Sequence, residues 1–192
     1  MKKKVIPFLL AMCGICALPG FGQDDADDVH SVQITIPEIF ILDIETSASK
    51  TITFTADAST LEAGSPLDFS TLTNTDLWLN FTSIKGAATD TRDITAAITS
   101  GTLPTGVSLE VGTAAATGGV GALGTPVGAA VVLDGNVQNL VTGIGSAYTE
   151  NGPNKGYNLN YALKLGAAAT SFSALTAAAN TTLQVTHSIT DN

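Results

Sequence analysis

The sequence has 192 residues, 44% hydrophobic and 13% charged, with 17 acidic residues against 8 basic ones and a net charge of −9. An acidic chain without a basic stripe cannot neutralise a phosphate backbone, so no nucleic acid is expected as a partner, and an anionic membrane surface is disfavoured on the same grounds.

Along the chain, Lys2, Lys3 and Lys4 come first. An uncharged apolar run over residues 5–18 follows, then Pro19-Gly20-Phe21-Gly22, then Asp24, Asp25, Asp27 and Asp28. A positive start, a short apolar stretch, a helix break and small residues are the parts of a secretory signal. Residues 1–22 are expected to be removed, with cleavage after Gly22. The run falls short of the roughly 20 residues of a spanning helix, and Pro7 and Pro19 interrupt it, so no transmembrane segment is expected after signal removal. Cys13 follows Met12 and Cys16 follows Ile15, which does not suit a lipoprotein signal. Both cysteines leave with the signal, so residues 23–192 can form neither a disulfide nor a thiolate metal site. Five basic residues then remain against 17 acids, a net charge of −12. The expected location is the periplasm, the cell surface or the medium.

Residues 23–30 read as an acidic mobile lead-in, and residues 31–192 as a single domain, long enough to bury its own core. Val32, Ile34 and Ile36 alternate with Ser31, Gln33 and Thr35, the period of a half-buried strand. Pro37 interrupts the ladder and an apolar run resumes over residues 39–44, which predicts one long strand kinked at Pro37-Glu38. Residues 51–55 alternate as a short strand, and residues 61–76 read as a loop. Residues 77–84 form the strongest strand, with Leu77, Leu79 and Phe81 on one face and Trp78 on the other. Strands are predicted over 92–98 and 106–111, and irregular structure over the Gly- and Ala-rich stretch 113–128. Asp134-Gly135 between residues 131–133 and 137–141 predicts a hairpin. Tyr157, Leu159, Tyr161, Leu163 and Leu165 alternate as a further strand, and Leu183, Val185, His187 and Ile189 as the last. The Ala-rich residues 167–179 read as a loop with at most one helical turn. Eight or nine short strands with turns between them predict an all-β fold, an antiparallel β-sandwich of immunoglobulin-like or fimbrial-like form.

Candidate chemistry is sparse. Gly119, Gly121 and Gly124 satisfy G-x-G-x-x-G, but no helix follows, so a flexible loop is expected and no cofactor. His30 and His187 are the only histidines, too few for a zinc site without carboxylates, and Gly143-Ile144-Gly145-Ser146 is out of frame for a nucleophile elbow. The aspartates at 24–28 lack the spacing and glycine of a calcium loop and read as a solvated tail. Asp43, Asp93 and Glu110 are the main acids inside predicted strands, which argues against a carboxylate-lined cleft. No catalytic residue, no metal site and no enzymatic activity are expected. Tyr148, in the loop expected over residues 143–155, is the candidate ligand contact, while Trp78, Tyr157 and Tyr161 read as packing residues.

The order of these elements (Val32-Gln33-Ile34-Thr35-Ile36-Pro37, then Leu77-Trp78-Leu79-Asn80-Phe81, then residues 157–165 and 183–190) resembles bacterial surface β-sandwiches of the WxL, spore-coat-U and fimbrial-subunit type, and small secreted proteins of Bacteroidota. A W-x-L tripeptide and the fimbrial cysteine pair are absent, so no functional residue is carried over. The expected function is a non-catalytic structural or adhesive protein of the cell envelope or its appendages. It would associate with itself or other envelope proteins by strand pairing through Val32, Ile34 and Ile36. The alternative is a module that binds a glycan or another surface ligand through Tyr148.

Overall fold

The computed structural model describes residues 27–166, 171–177 and 181–192. The expected signal peptide, residues 23–26 of the lead-in and parts of the Ala-rich stretch 167–179 lie outside them. The chain divides into two units, Met1–Thr35 and Ile36–Asn192. In the first, residues 27–35 carry no helix or strand and every one is exposed.

The second unit is a β-sandwich. Its strands are β1 (Ile39–Thr46), β2 (Thr73–Ile84), β3 (Arg92–Ser100), β4 (Val107–Thr113), β5 (Val120–Gly121), β6 (Thr125–Pro126), β7 (Val131–Leu133), β8 (Gln138–Ile144), β9 (Ala147–Tyr148), β10 (Tyr157–Leu165) and β11 (Gln184–Asp191). One sheet runs β5-β9-β2-β10-β4-β7, with β1 also paired to β2. The other runs β11-β3-β8-β6. Every pairing is antiparallel. The short 3₁₀ turn Phe172–Ala174 is the only helical element among the described residues.

Period-two alternation builds the core. Leu77, Leu79 and Phe81 of β2, Leu109 and Val111 of β4, and Tyr157, Leu159 and Tyr161 of β10 turn inward from the larger sheet. Ile94 and Ala96 of β3, with Leu140, Val141 and Ile144 of β8, face them from the smaller sheet, and Leu133 of β7 and Ala147 of β9 complete the buried cluster. Each aliphatic side chain taken fully out of water contributes about 1.5–3 kcal/mol. The Phe81 and Tyr157 rings stack with centroids 6.3 Å apart. The Tyr157 hydroxyl donates to the Leu123 carbonyl at 2.7 Å, so its buried polar end is satisfied. Trp78, by contrast, is half-buried on the outer face of β2.

Four sequence expectations need correction. The long first strand is not formed: β1 begins at Ile39, and Val32, Ile34 and Ile36 belong to no strand. Pro37 has no N–H to give a ladder, and its ring disfavours continuing the pairing through that point. Residues 51–55 alternate but make no ladder, although Ile52 and Phe54 pack against the core. Asp134-Gly135 does not close a hairpin. Asp134 Oδ1 accepts from the Asn136 N–H at 2.7 Å, an Asx turn, and the chain changes sheets there: β7 pairs with β4, β8 with β3. Tyr148 lies in β9 and not in a loop.

Two charged residues, Arg92 and Asp93, are buried among the described residues, and Arg92 is the more deeply sealed. Arg92, the first residue of β3, is fully buried. Its Nε donates to Asp191 Oδ1 at 2.6 Å and its Nη1 to Ser83 Oγ at 2.8 Å. Nη1 also reaches the carbonyls of Ile39 and Ile84, each at 3.2 Å, and Nη2 pairs with Glu38. The guanidinium carbon stands 5.0 Å from the centre of the Phe40 ring. A single side chain thus ties the start of β1 and the end of β2 in one sheet to the end of β11 in the other.

Candidate functional site

Two surfaces merit a functional reading, and both follow from which side chains the sandwich leaves outside.

The first is a sheet edge. β11 pairs on one side with β3 and has no strand on its other side among the described residues. Val185, His187 and Ile189 lie opposite Ile98, Ala96 and Ile94 on the core face. Gln184, Thr186, Ser188 and Thr190 take the outer face. From Gln184 to Thr190 the edge carries no Asp, Glu, Lys or Arg. Other outer strands are blunted in ways that discourage pairing: β1 presents Asp43 and Glu45, β6 ends in Pro126, and β5 and β7 have two and three residues.

His187 is held on the inner side of this edge strand. Its Nε2 is 2.9 Å from the Tyr161 hydroxyl of β10, a hydrogen bond from one sheet to the other. Its Nδ1 is buried without a partner. Burial lowers the imidazole from its ordinary 6.5 to about 4 and pushes the Tyr161 hydroxyl up. The pair is therefore neutral at physiological pH.

The second surface is the outer face of the larger sheet. The registers align Ile41 with Thr82, Thr82 with Tyr148, and Tyr148 with Val120, one row across four strands. Tyr148 is 47% exposed, Ile41 62% and Val120 61%. In the next row Asp43 lies opposite Asn80. A shallow depression of about 380 Å³ opens here, lined by Ile41, Asp43, Asn80, Tyr148, Glu150 and Asn151 among others. A second, of about 290 Å³, shares Thr82 and Tyr148 and continues past Val120 and Ser146. Lys50 pairs with Asp43 at 3.0 Å and Lys155 pairs with Glu150, and each lysine holds its carboxyl below the usual carboxylate range. Asn80 is almost fully buried; its Nδ2 donates to the Gly152 carbonyl at 2.9 Å, while its Oδ1 has no partner.

Of the residues at these surfaces, the sequence singles out Tyr148, Val32, Ile34 and Ile36 and marks Asp43 only as an acid within a strand; it does not single out Asn80, Glu150 or Arg92. Arg92 had a signal, since it is the chain's only arginine. Asn80 had one too, as the outward polar position between Trp78 and Thr82.

The remaining candidates are taken up by structure. The glycines of the G-x-G-x-x-G stretch let residues 119–124 run against β8 and β9. At Gly119 and Gly121, both with positive φ, an added Cβ would lie 2.5 Å and 2.3 Å from the carbonyl oxygens of Tyr148 and Ser146. Asp93 accepts from the Gly143 N–H at 3.0 Å, and Glu110 pairs with Lys164. No three His, Cys, Asp or Glu residues gather to hold a metal ion among the described residues. No helix among them is long and apolar enough to cross a membrane. No family model, curated protein or solved structure matches the chain.

Proposed function

We propose that this chain is an exported, non-catalytic structural or adhesive protein of the cell envelope or its appendages. Its copies join when residues 31–36 of one add as a strand to the free edge of β11 in the next. The observation that carries this reading is a complementary pair. One partner is a six-residue segment of perfect apolar alternation that belongs to no sheet, with Val32, Ile34 and Ile36 exposed by 71%, 78% and 73%. The other is the edge of β11, uncharged from Gln184 to Thr190 and without a second pairing strand among the described residues. Set beside β11, the segment would extend the core face with Val32, Ile34 and Ile36, next to Val185 and Ile189. Ser31, Gln33 and Thr35 would extend the outer face of Thr186, Ser188 and Thr190. Added strands gain affinity from main-chain hydrogen bonds and specificity from alternate side chains. The lysine-led apolar run at residues 2–18 supports export.

The energetics favour a modest affinity. Three newly buried side chains contribute about 1.5–3 kcal/mol each, and each new backbone hydrogen bond about 1 kcal/mol net. Association costs about 4–15 kcal/mol, which offsets much of that gain, so the degree of association should depend on protein concentration. The contact joins two different surfaces, and a head-to-tail contact that does not close into a ring grows into open chains.

Light scattering after size exclusion on residues 23–192 tests this. The mass should rise with concentration beyond a dimer. Deletion of residues 24–37, which spares the Arg92 partner Glu38, should leave a folded monomer. Ile34→Asp should weaken association by at least about tenfold, because a carboxylate would enter an apolar face. A chain that stays monomeric at every concentration would refute the strand-addition reading.

A further inference from the structure

We infer that the outer face of the larger sheet around Tyr148 is a binding site for a neutral glycan chain. It is a surface separate from the β11 edge and independent of strand addition.

The chemistry of the lining selects the ligand class. Tyr148, about half-exposed, stands between Thr82 and Val120 in the row, with Ile41 beyond Thr82. The C–H face of a pyranose ring packs on such a surface, because aromatic faces carry partial negative charge and shed water readily. Around the ring stand hydrogen-bonding groups at fixed positions: the carboxylates of Asp43 and Glu150, the amide of Asn151 and the hydroxyl of Thr82. Carboxylates accept from sugar hydroxyls, and the amide both accepts and donates. Asn80 lines the same depression, but its Oδ1, without a partner among the described residues, is buried and adds no surface acceptor.

Charge narrows the class further. Each of the two carboxylates is matched by its own lysine, so the depression itself is close to neutral. The chain as a whole carries −9, which repels sulfated or uronic-acid polymers. A polyhydroxylated, uncharged ligand is what remains.

Shape sets the mode. The two depressions share Tyr148 and Thr82 in their linings. Neither is a deep cavity that would take a chain end. A row across four strands, spaced about 4.8 Å apart, is roughly 14 Å long and suits about three internal units of a chain. Affinity should therefore grow from one unit to about three and then level off.

Calorimetric titration of residues 23–192 with neutral gluco-, manno- and N-acetylglucosamine oligomers of one to six units tests the inference, with a sulfated polysaccharide alongside. The expected result is weak saturable binding to at least one neutral series, tightening up to about three units, and none to the sulfated polymer. Tyr148→Ala should weaken it at least about tenfold, and Tyr148→Phe by less than about twofold, since the ring face and not the hydroxyl makes the contact. Thr82→Lys, which blocks the row from β2, should match Tyr148→Ala. The mass distribution in light scattering should be unchanged in all three variants, which separates this site from the β11 edge. Absence of binding to every neutral series at millimolar concentration would overturn the inference. So would binding unaffected by both Tyr148→Ala and Thr82→Lys.

Discussion

Replacing Arg92 with methionine should destabilise the domain by about 3 kcal/mol, read as a lower urea midpoint with little change in slope. Methionine fills much of the volume but leaves the groups that converge on the guanidinium without a donor. Ser83 is 1% exposed, and water cannot replace the donor its hydroxyl loses without entering the packed interior. The carbonyls of Ile39 and Ile84 would lose their Arg92 bonds as well. Glu38 and Asp191 are about half-exposed and can rehydrate, which keeps the loss at the lower end of what breaking a buried pair costs. Arg92→Lys should recover only part of it. An ammonium keeps the charge but cannot fork toward Glu38, Asp191 and Ser83 at once. Because the apolar core shared by both sheets is retained, unfolding should remain a single transition in either variant. A methionine variant as stable as the parent would show that these bonds do not hold the sheets together.

Acidification from pH 7.5 to 4.5 should cost the domain up to about 2.5 kcal/mol through His187 alone. The folded imidazole titrates at about 4, below its ordinary 6.5, because burial disfavours the cation. Between those values the unfolded chain binds the proton more readily than the folded one, so stability rises with pH across that window and is flat above it. Below about pH 4 both forms are protonated and this group costs nothing further. The exposed carboxylates that are held low, such as Asp43 and Glu150, act in the same direction but at still lower pH. They are exposed, and their part is small. His187→Gln should flatten the pH dependence between 6.5 and 4.5 while keeping a hydrogen-bonding group opposite the Tyr161 hydroxyl. Urea midpoints at pH 7.5, 6, 5 and 4.5 decide the matter. An unchanged slope in the variant would place the pH dependence elsewhere.

The strands that sequence patterning located well were those whose alternation meets a core on one side. β2, β3, β4, β10 and β11 were legible because Leu77, Leu79, Phe81, Leu109, Leu159, Val185 and their neighbours recur with period two. The same period misled at Val32, Ile34 and Ile36. Alternation says that a segment suits a sheet face, but not that a neighbouring strand is there to pair with it. At residues 51–55 the alternation found the inward side of Ile52 and Phe54 but not the absence of a ladder. Asp134-Gly135 is turn chemistry, and a turn within one sheet shares its local signals with a crossing between two. Arg92 was illegible as a clasp because its partners Glu38 and Asp191 lie 54 and 99 residues away. The Tyr148 face was legible only as one exposed aromatic. Its row is assembled from β1, β2, β9 and β5, and no local pattern encodes which strands will be neighbours.

Strand addition between copies is tested most directly by hydrogen exchange at the amides of residues 31–36 and 184–191, measured at low and high protein concentration. An added strand must place backbone N–H groups in a new ladder, and ladder amides exchange slowly. At concentrations where the mass has risen, the account predicts protection at alternate amides within residues 31–36. It predicts matching new protection at those β11 amides that face away from β3, with β1 unchanged. Association that leaves residues 31–36 exchanging as freely as at low concentration, or that protects β1 in place of β11, would contradict it.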